Sequence, residues 1–285
     1  MEIYMVSQAT IYGIYFSLLV SLVLPTMMWL LYRMFSKRKG MLLPAFAGIS
    51  GFLLSTMLLQ SIFLTLLVTL IPWLETSNAL WVAGPIICLS TGVFEEGIRF
   101  LFFTLLKKSD RGDRLADALS YGIGYSGIGA LYLTGFGAVT QIAYAMAINS
   151  GEILNMLASV SDAERPGLEE AITFLTHTPP LDFFMAGFEQ LSTIILQITL
   201  SVLMWIIVQK GFGKKSLLYM MGVHAGFNFL SFALVNWGAP LLFVELVLLA
   251  VAVIFAFWVK FLYQQLDFKD KDSGTFTLGK PLYKE

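Results

Sequence analysis

The sequence contains few charged residues and a single cysteine. Asp, Glu, Lys and Arg make up 13% of its 285 residues, against roughly 25% in an average soluble domain. One thiol, Cys88, can form neither an internal disulfide nor a cysteine metal cluster. With a net charge of -1 there is no basic face that could follow a nucleic-acid backbone. These absences argue against a soluble globule and against nucleic acid as a partner.

Long apolar runs are abundant instead: 57% of the residues are hydrophobic and the mean hydropathy is +0.77. Seven segments reach the roughly 20 residues that a helix needs to cross a bilayer. We therefore predict an all-α, polytopic membrane helix bundle with about seven transmembrane helices, forming a single integral membrane domain over residues 1–285. The predicted spans are residues 11–32, 42–72, 79–106, 116–148, 183–208, 217–237 and 240–263. Residues 149–180 are predicted to be an external loop, and residues 264–285 a cytoplasmic tail.

Basic residues predict the orientation of these spans. Of the 18 Lys and Arg residues, 16 fall on one side of the predicted topology, with Arg165 opposite and Arg99 inside the membrane. Lys and Arg are enriched in cytoplasmic loops. We therefore expect a multi-pass protein of the cell membrane whose N-terminus is outside and whose C-terminus is cytoplasmic.

Single-cysteine labelling in intact cells tests this orientation. In a background that lacks Cys88, an impermeant thiol reagent should modify a cysteine placed at Ser161 and leave one placed at Ser273 unmodified, since the basic residues lie on the cytoplasmic side. Labelling at position 273 in intact cells would reverse the predicted topology.

The third predicted span carries three charges, in Phe94-Glu95-Glu96-Gly97-Ile98-Arg99. Glu95 lies four residues and Glu96 three residues before Arg99, so both acids can share a helix face with the cation. A charge at the centre of a bilayer costs at least about 2.5 kcal/mol, so intramembrane charges are rare and usually functional. We interpret this stretch as an active centre. A structural ion pair that holds two helices together is the alternative.

Other predicted spans carry polar residues at a similar depth. Counted at 1.5 Å per residue from the nearest basic boundary, four helices place polar groups about 12–20 Å into the membrane. These residues are Glu95, Glu96, Arg99, Tyr125, Gln197, His224 and Asn228. Glu189 lies nearer the external end of its span and is predicted to line the site or support helix packing.

Hydrolysis is the chemistry that fits these residue types. A carboxylate held away from bulk water can act as a general base. No serine has a recognisable histidine partner in its motif. The pattern His-Glu-x-x-His is absent, and one membrane histidine with two acids is a small ligand set for zinc. We therefore expect no metal and no other cofactor, although a divalent metal remains an open alternative.

Taken together, the motifs resemble a known family, the YhfC-type membrane peptidases, which are distant relatives of the CAAX prenyl endopeptidase (CPBP or Abi) glutamic intramembrane proteases. The similarity covers the third to the sixth predicted span. It rests on Phe94-Glu95-Glu96-x-x-Arg99, the glycine-rich run over 122–129, Phe188-Glu189-Gln190 followed by Gln197, and His224-x-x-x-Asn228.

The resemblance implies a role for each member of these motifs. Glu95 would activate the attacking water, Glu96 and Arg99 would hold the site together, and His224 with Asn228 would stabilise the oxyanion.

The sequence also departs from the family pattern. Tyr125 and Gln197 stand where the family has histidines, Gly129 stands where it has a glutamate, and Gln190 stands where it has an arginine. The chain is therefore either a peptidase or a pseudoenzyme.

The favoured function is an intramembrane endopeptidase that hydrolyses a peptide bond of a membrane-associated protein or peptide. The alternative is a catalytically inactive relative that binds or scaffolds another membrane protein. A small-solute transporter is disfavoured because no internal repeat of the transporter type is visible. In each case the lipid bilayer is the surrounding partner.

Overall fold

The protein is described by a computed structural model that covers residues 5–35, 42–266 and 268. Within these ranges the chain is almost entirely helical and forms no β-strand. Its α-helices are numbered in chain order: α1 (Gln8–Leu18), α2 (Leu24–Phe35), α3 (Leu42–Phe52), α4 (Ser61–Leu70), α5 (Leu80–Lys108), α6 (Leu115–Ala130), α7 (Phe136–Ser150), α8 (Ile153–Ser159), α9 (Arg165–His177), α10 (Pro180–Lys210), α11 (Lys214–Asn236) and α12 (Leu241–Gln265).

Six helical stretches in the described ranges are long and apolar enough to cross a membrane. They are Gln8–Met34, Leu42–Leu70, Leu115–Ser150, Pro180–Lys210, Lys215–Asn236 and Leu241–Gln265. The remaining predicted span, over 79–106, is the 29-residue helix α5, which has the necessary length but carries Glu95, Glu96 and Arg99. The prediction of an all-α polytopic membrane bundle is confirmed.

The described chain forms two compact units, each with its own apolar core. One unit contains the described parts of Met1–Leu24 and Ala130–Leu191. Its core includes Ile14, Ile148 and Leu175. The other unit contains those of Pro25–Gly129 and Ser192–Glu285. Its core includes Phe103, Tyr121 and Trp205, and it holds both α5 and α11.

Two short helices occupy the predicted loop over 149–180. They are α8 and α9. Helix α9 has Pro166 in its first turn, where a missing backbone N–H costs little. It buries Leu168, Ile172 and Leu175 and exposes Glu169 and Glu170 on the opposite side. The short amphipathic helix that the sequence predicts after Pro166 is therefore present.

Helices α5 and α11 approach each other closely at Gly92. A Cβ atom at this position would overlap the Met221 carbonyl oxygen and lie 3.1 Å from the Ala225 backbone nitrogen. Small residues allow this kind of close approach between membrane helices. Because Ala225 directly follows His224, the contact at Gly92 fixes where α11 places that histidine beside α5.

A π-helical segment, Leu53–Gln60, joins α3 to α4. Its wider turns distinguish it from the α-helices on either side, and π-helical turns inside longer helices are frequent at functional sites. The segment carries Ser55, Thr56 and Gln60, which all hydrogen-bond to residues of α5 or α6.

Candidate active site

Helix α5 places three charged side chains in the interior of its unit. Glu95 is 4% exposed, and Glu96 and Arg99 are both 0% exposed. The three- and four-residue spacing brings both acids to the face of α5 that carries Arg99, as the sequence predicts. The ion pairs are thus formed inside one helix, and other helices supply the groups that surround them.

Besides its 4.0 Å ion pair with Glu95, Arg99 has three partners of different kinds. Its Nη1 donates to Glu96 Oε1 at 2.5 Å, and its Nη2 donates to Gln197 Oε1. The guanidinium carbon lies 4.7 Å from the centre of the Tyr125 ring. A cation over an aromatic face at this distance is stabilised by the negative face of the ring. Tyr125 therefore supports Arg99, and its hydroxyl is bonded to Ser55 at 2.9 Å.

Glu95 is held by two neutral donors. Thr56 Oγ1 donates to Glu95 Oε1 at 3.1 Å, and Gln197 Nε2 donates to Glu95 Oε2 at 2.9 Å. The nearest Arg99 nitrogen is 4.0 Å from Glu95 Oε2. Glu96 is thus paired directly with the cation through Oε1, and its Oε2 has no hydrogen-bond partner among the described residues. Glu95 is held by hydrogen bonds on both oxygens and lies further from the cation. This difference makes Glu95 the better candidate for a base.

His224 links the two acids. Its Nδ1 lies 2.8 Å from Glu96 Oε1, and its Nε2 lies 3.8 Å from Glu95 Oε2. An ionised carboxylate only accepts hydrogen bonds, and Glu96 already accepts one from Arg99. We therefore assign the ring proton to Nδ1, which donates to Glu96 and leaves Nε2 facing Glu95.

The two remaining predicted site residues are Asn228 and Glu189. Asn228 is half-buried one turn along α11 from His224, and no hydrogen bond joins its side chain to the charged cluster in the described part of the chain. Glu189 is exposed and belongs to the other compact unit. Ser55 and Thr56 also contact the site but could not be singled out from the sequence, because hydroxyl residues are common in apolar helices. Their depth in the second predicted span is the one sequence feature that could have indicated them.

These helices and the buried cluster define a membrane protein with several spans and a carboxylate–arginine–histidine centre. The chain belongs to the family described as YhfC intramembrane metalloprotease, which matches residues 16–253. It is 38% identical to the uncharacterized membrane protein YhfC of Bacillus subtilis (strain 168) over 143 residues, which are 50% of this chain and 53% of that protein. The matched segment spans about half the length of this curated relative. No solved structure matches the chain.

A metalloprotease needs side chains that can hold a metal ion. In the described ranges no group of three or more His, Cys, Asp or Glu side chains could hold a metal ion. His224 Nδ1 and Glu96 Oε1 are bonded to each other, and Arg99 supplies positive charge to the same oxygen. Glu95 Oε2 and His224 Nε2 lie 3.8 Å apart, and Glu96 Oε2 has no hydrogen-bond partner in the described part of the chain. A catalytic zinc site takes three protein ligands, and these side chains do not form such a group. This donor set does not fit a catalytic metal site.

Proposed function

We propose that the protein is an intramembrane endopeptidase in which Glu95 activates a water that attacks a peptide bond of a membrane-associated substrate. The observation that carries the proposal is that the two acids have different hydrogen-bond and ion-pair partners. Glu96 is paired with Arg99 at 2.5 Å, while Glu95 is held by Thr56 and Gln197 and faces His224 Nε2. A buried carboxylate that is held in place and is not paired directly with a cation can serve as a general base.

Glu96 and Arg99 serve as positioning residues in this mechanism. Arg99 fixes Glu96, and Glu96 fixes the His224 ring through Nδ1. Nε2 is then the atom of the ring that can accept a proton or, once protonated, donate to the leaving amine.

Oxyanion stabilisation is the second requirement of acyl transfer. Asn228 lies one turn from His224, about 6 Å along the helix axis. Its amide is not committed to the charged cluster, and such an amide can donate to a developing oxyanion.

The more distant relationship to the CAAX prenyl endopeptidases is part of the same proposal. Its support is the double-glutamate and arginine element on one helix face opposite a histidine of a later helix. Gln197 takes a histidine position of that pattern and still accepts from Arg99 while donating to Glu95. The residue that differs from the pattern is therefore hydrogen-bonded both to the cation and to the proposed base. We also propose a location in the cell membrane, with the N-terminus outside and the C-terminus in the cytoplasm.

An inactive relative that binds another membrane protein is the second candidate. The observation in its favour is that both substituted positions have structural contacts: Tyr125 lies against the Arg99 guanidinium and bonds to Ser55, and Gln197 bridges Arg99 and Glu95. A cluster of this kind would stabilise the fold without any chemistry.

Replacing Glu95 by glutamine separates the two candidates. Membranes that contain wild-type protein should accumulate cleaved peptides that disappear in Glu95→Gln, because loss of a general base typically costs about 100- to 10,000-fold in rate. Peptide products from both membranes would be compared by mass spectrometry. The exposed Glu170→Gln substitution is the matched control and should leave the products unchanged. Identical products from wild type and Glu95→Gln, with both proteins folded, would favour the inactive relative.

Removal of metal ions gives an independent prediction. Because the described donors do not form a three-ligand metal site, treatment with EDTA or 1,10-phenanthroline should leave peptide release unchanged. The control is a known zinc peptidase treated in parallel. Loss of its activity would show that the chelator removes zinc under these conditions. Loss of Glu95-dependent cleavage on chelation, with recovery on adding zinc, would contradict the metal-free mechanism.

A further inference from the structure

Gln60 is a buried amide that no step of the proposed reaction uses. It ends the π-helical segment Leu53–Gln60 and is only 7% exposed. Its Nε2 donates to Thr91 Oγ1 at 2.7 Å and to Ser90 Oγ at 3.3 Å. Both hydroxyls belong to α5, in the turn before Glu95.

The orientation of this amide is fixed by its neighbours. Ser90 Oγ donates to Ile87 O at 2.8 Å, and Thr91 Oγ1 donates to the same carbonyl at 3.0 Å. With their protons used in this way, both hydroxyls must accept from Gln60, so its nitrogen faces them. Its oxygen, Oε1, is then a buried acceptor that has no hydrogen-bond partner in the described part of the chain. Buried acceptors are rarely left unpaired in folded proteins, and an ordered water is one common partner for them.

Gln60 lies about one helical turn from Thr56, which contacts the candidate base, Glu95. Thr56, four residues before Gln60, donates to Glu95, and Thr91, four residues before Glu95, accepts from Gln60. The two contacts therefore lie on one helix interface about 6 Å apart, since four helical residues rise that far. Gln60 lies on the side of Glu95 that is nearer the beginning of α5.

We propose that Gln60 Oε1 binds a water molecule, and that Ser90, Thr91 and Gln60 line the route by which water reaches Glu95 from the membrane side at which α5 begins. A water supplies the O–H donor that the free acceptor lacks. The inference that this route contains water depends only on the geometry of Gln60. The inference that this water is used in hydrolysis rests on the proposed function.

Cysteine accessibility tests the route without measuring activity. In a Cys88→Ser background, Thr91→Cys and Gln60→Cys would be treated in membranes with the charged reagent MTSET. The thiolate is the reactive species and needs water to form, so both positions should react at least about tenfold faster than Leu89→Cys. Leu89 is the matched control because it lies on α5 two residues from Thr91 and is 55% exposed. Equal or slower reaction at both test positions would overturn the proposal.

Sealed vesicles test the direction of the route. The exposed residues Glu75 and Ser109 lie just outside the two ends of α5, and cysteines there mark the two membrane sides. Thr91→Cys should react from the side that labels Glu75→Cys. Reaction only from the side that labels Ser109→Cys would overturn the proposed entrance.

The use of this water is tested with Gln60→Met, which keeps the side-chain length and removes the acceptor oxygen together with the amide nitrogen that bonds to Ser90 and Thr91. If Glu95-dependent cleavage occurs, the variant should slow it about fivefold, the effect of losing one ordinary hydrogen bond. An unchanged rate would overturn the role of Gln60 in the reaction. If wild-type membranes release no Glu95-dependent peptides, the proposed function fails, while the labelling result still decides whether the route is hydrated.

Discussion

Replacing Arg99 by leucine is expected to lower the free energy of unfolding by about 3–5 kcal/mol, the usual cost of removing one partner from a buried ion pair. Arg99 is 0% exposed and donates to both Glu96 and Gln197. Without it, Glu95 and Glu96 would face each other's charge inside the bundle. Thermal unfolding of the purified protein in detergent measures the loss.

Two further variants show whether the loss of stability in Arg99→Leu comes from the buried ion pair. Arg111→Leu changes an exposed arginine and should leave the melting temperature nearly unchanged. Adding Glu95→Gln and Glu96→Gln to Arg99→Leu removes the stranded charge and should recover part of the loss. If Arg99→Leu has the same melting temperature as the wild type, the ion pair does not stabilise the fold.

Gly92→Ala is expected to destabilise the protein by about 1–3 kcal/mol, as overpacking a tight contact usually does. The added methyl group would meet the backbone of α11 at Met221 and Ala225, so one helix must move. Because Ala225 adjoins His224, we also expect the 2.8 Å contact between His224 and Glu96 to be lost and any Glu95-dependent cleavage to fall with it.

Gly97→Ala is the matched control for this prediction. Gly97 lies on the same helix, and the nearest atom to an added Cβ is the Met221 Cε at 3.9 Å, an ordinary contact. Melting temperature and peptide release would be measured for both variants. If the two alanine variants behave alike, the approach of α11 at Gly92 does not position His224.

Much of the fold follows from the sequence because the bilayer imposes a length and a polarity on each span. The charged stretch Glu95-Glu96-Arg99 could be placed on one helix face from spacing alone, and His224 could be placed near it by counting from basic boundaries. Both inferences use only the regular rise of a helix.

Other features could not be read in this way because they depend on how helices face one another. Counting residues put Gln197 and Tyr125 at the right depth but could not tell that Gln197 bridges Arg99 and Glu95, or that Tyr125 lies against the guanidinium. The π-helical turns around Thr56 have no recognised sequence signal, and they decide which residues of the second span meet Glu95.

The amide of Gln197 limits the directions in which a proton can be transferred away from Glu95. Its NH₂ group can only donate and its oxygen only accept, so the hydrogen bonds run one way, from Arg99 through Gln197 to Glu95. Such a link holds the carboxylate in place but passes no proton along. In the proposed reaction, a proton that Glu95 takes from water cannot leave on the arginine side. On the other side of Glu95, His224 Nε2 lies 3.8 Å away and can accept the proton, so the glutamine favours transfer to the ring that can deliver it to the leaving amine.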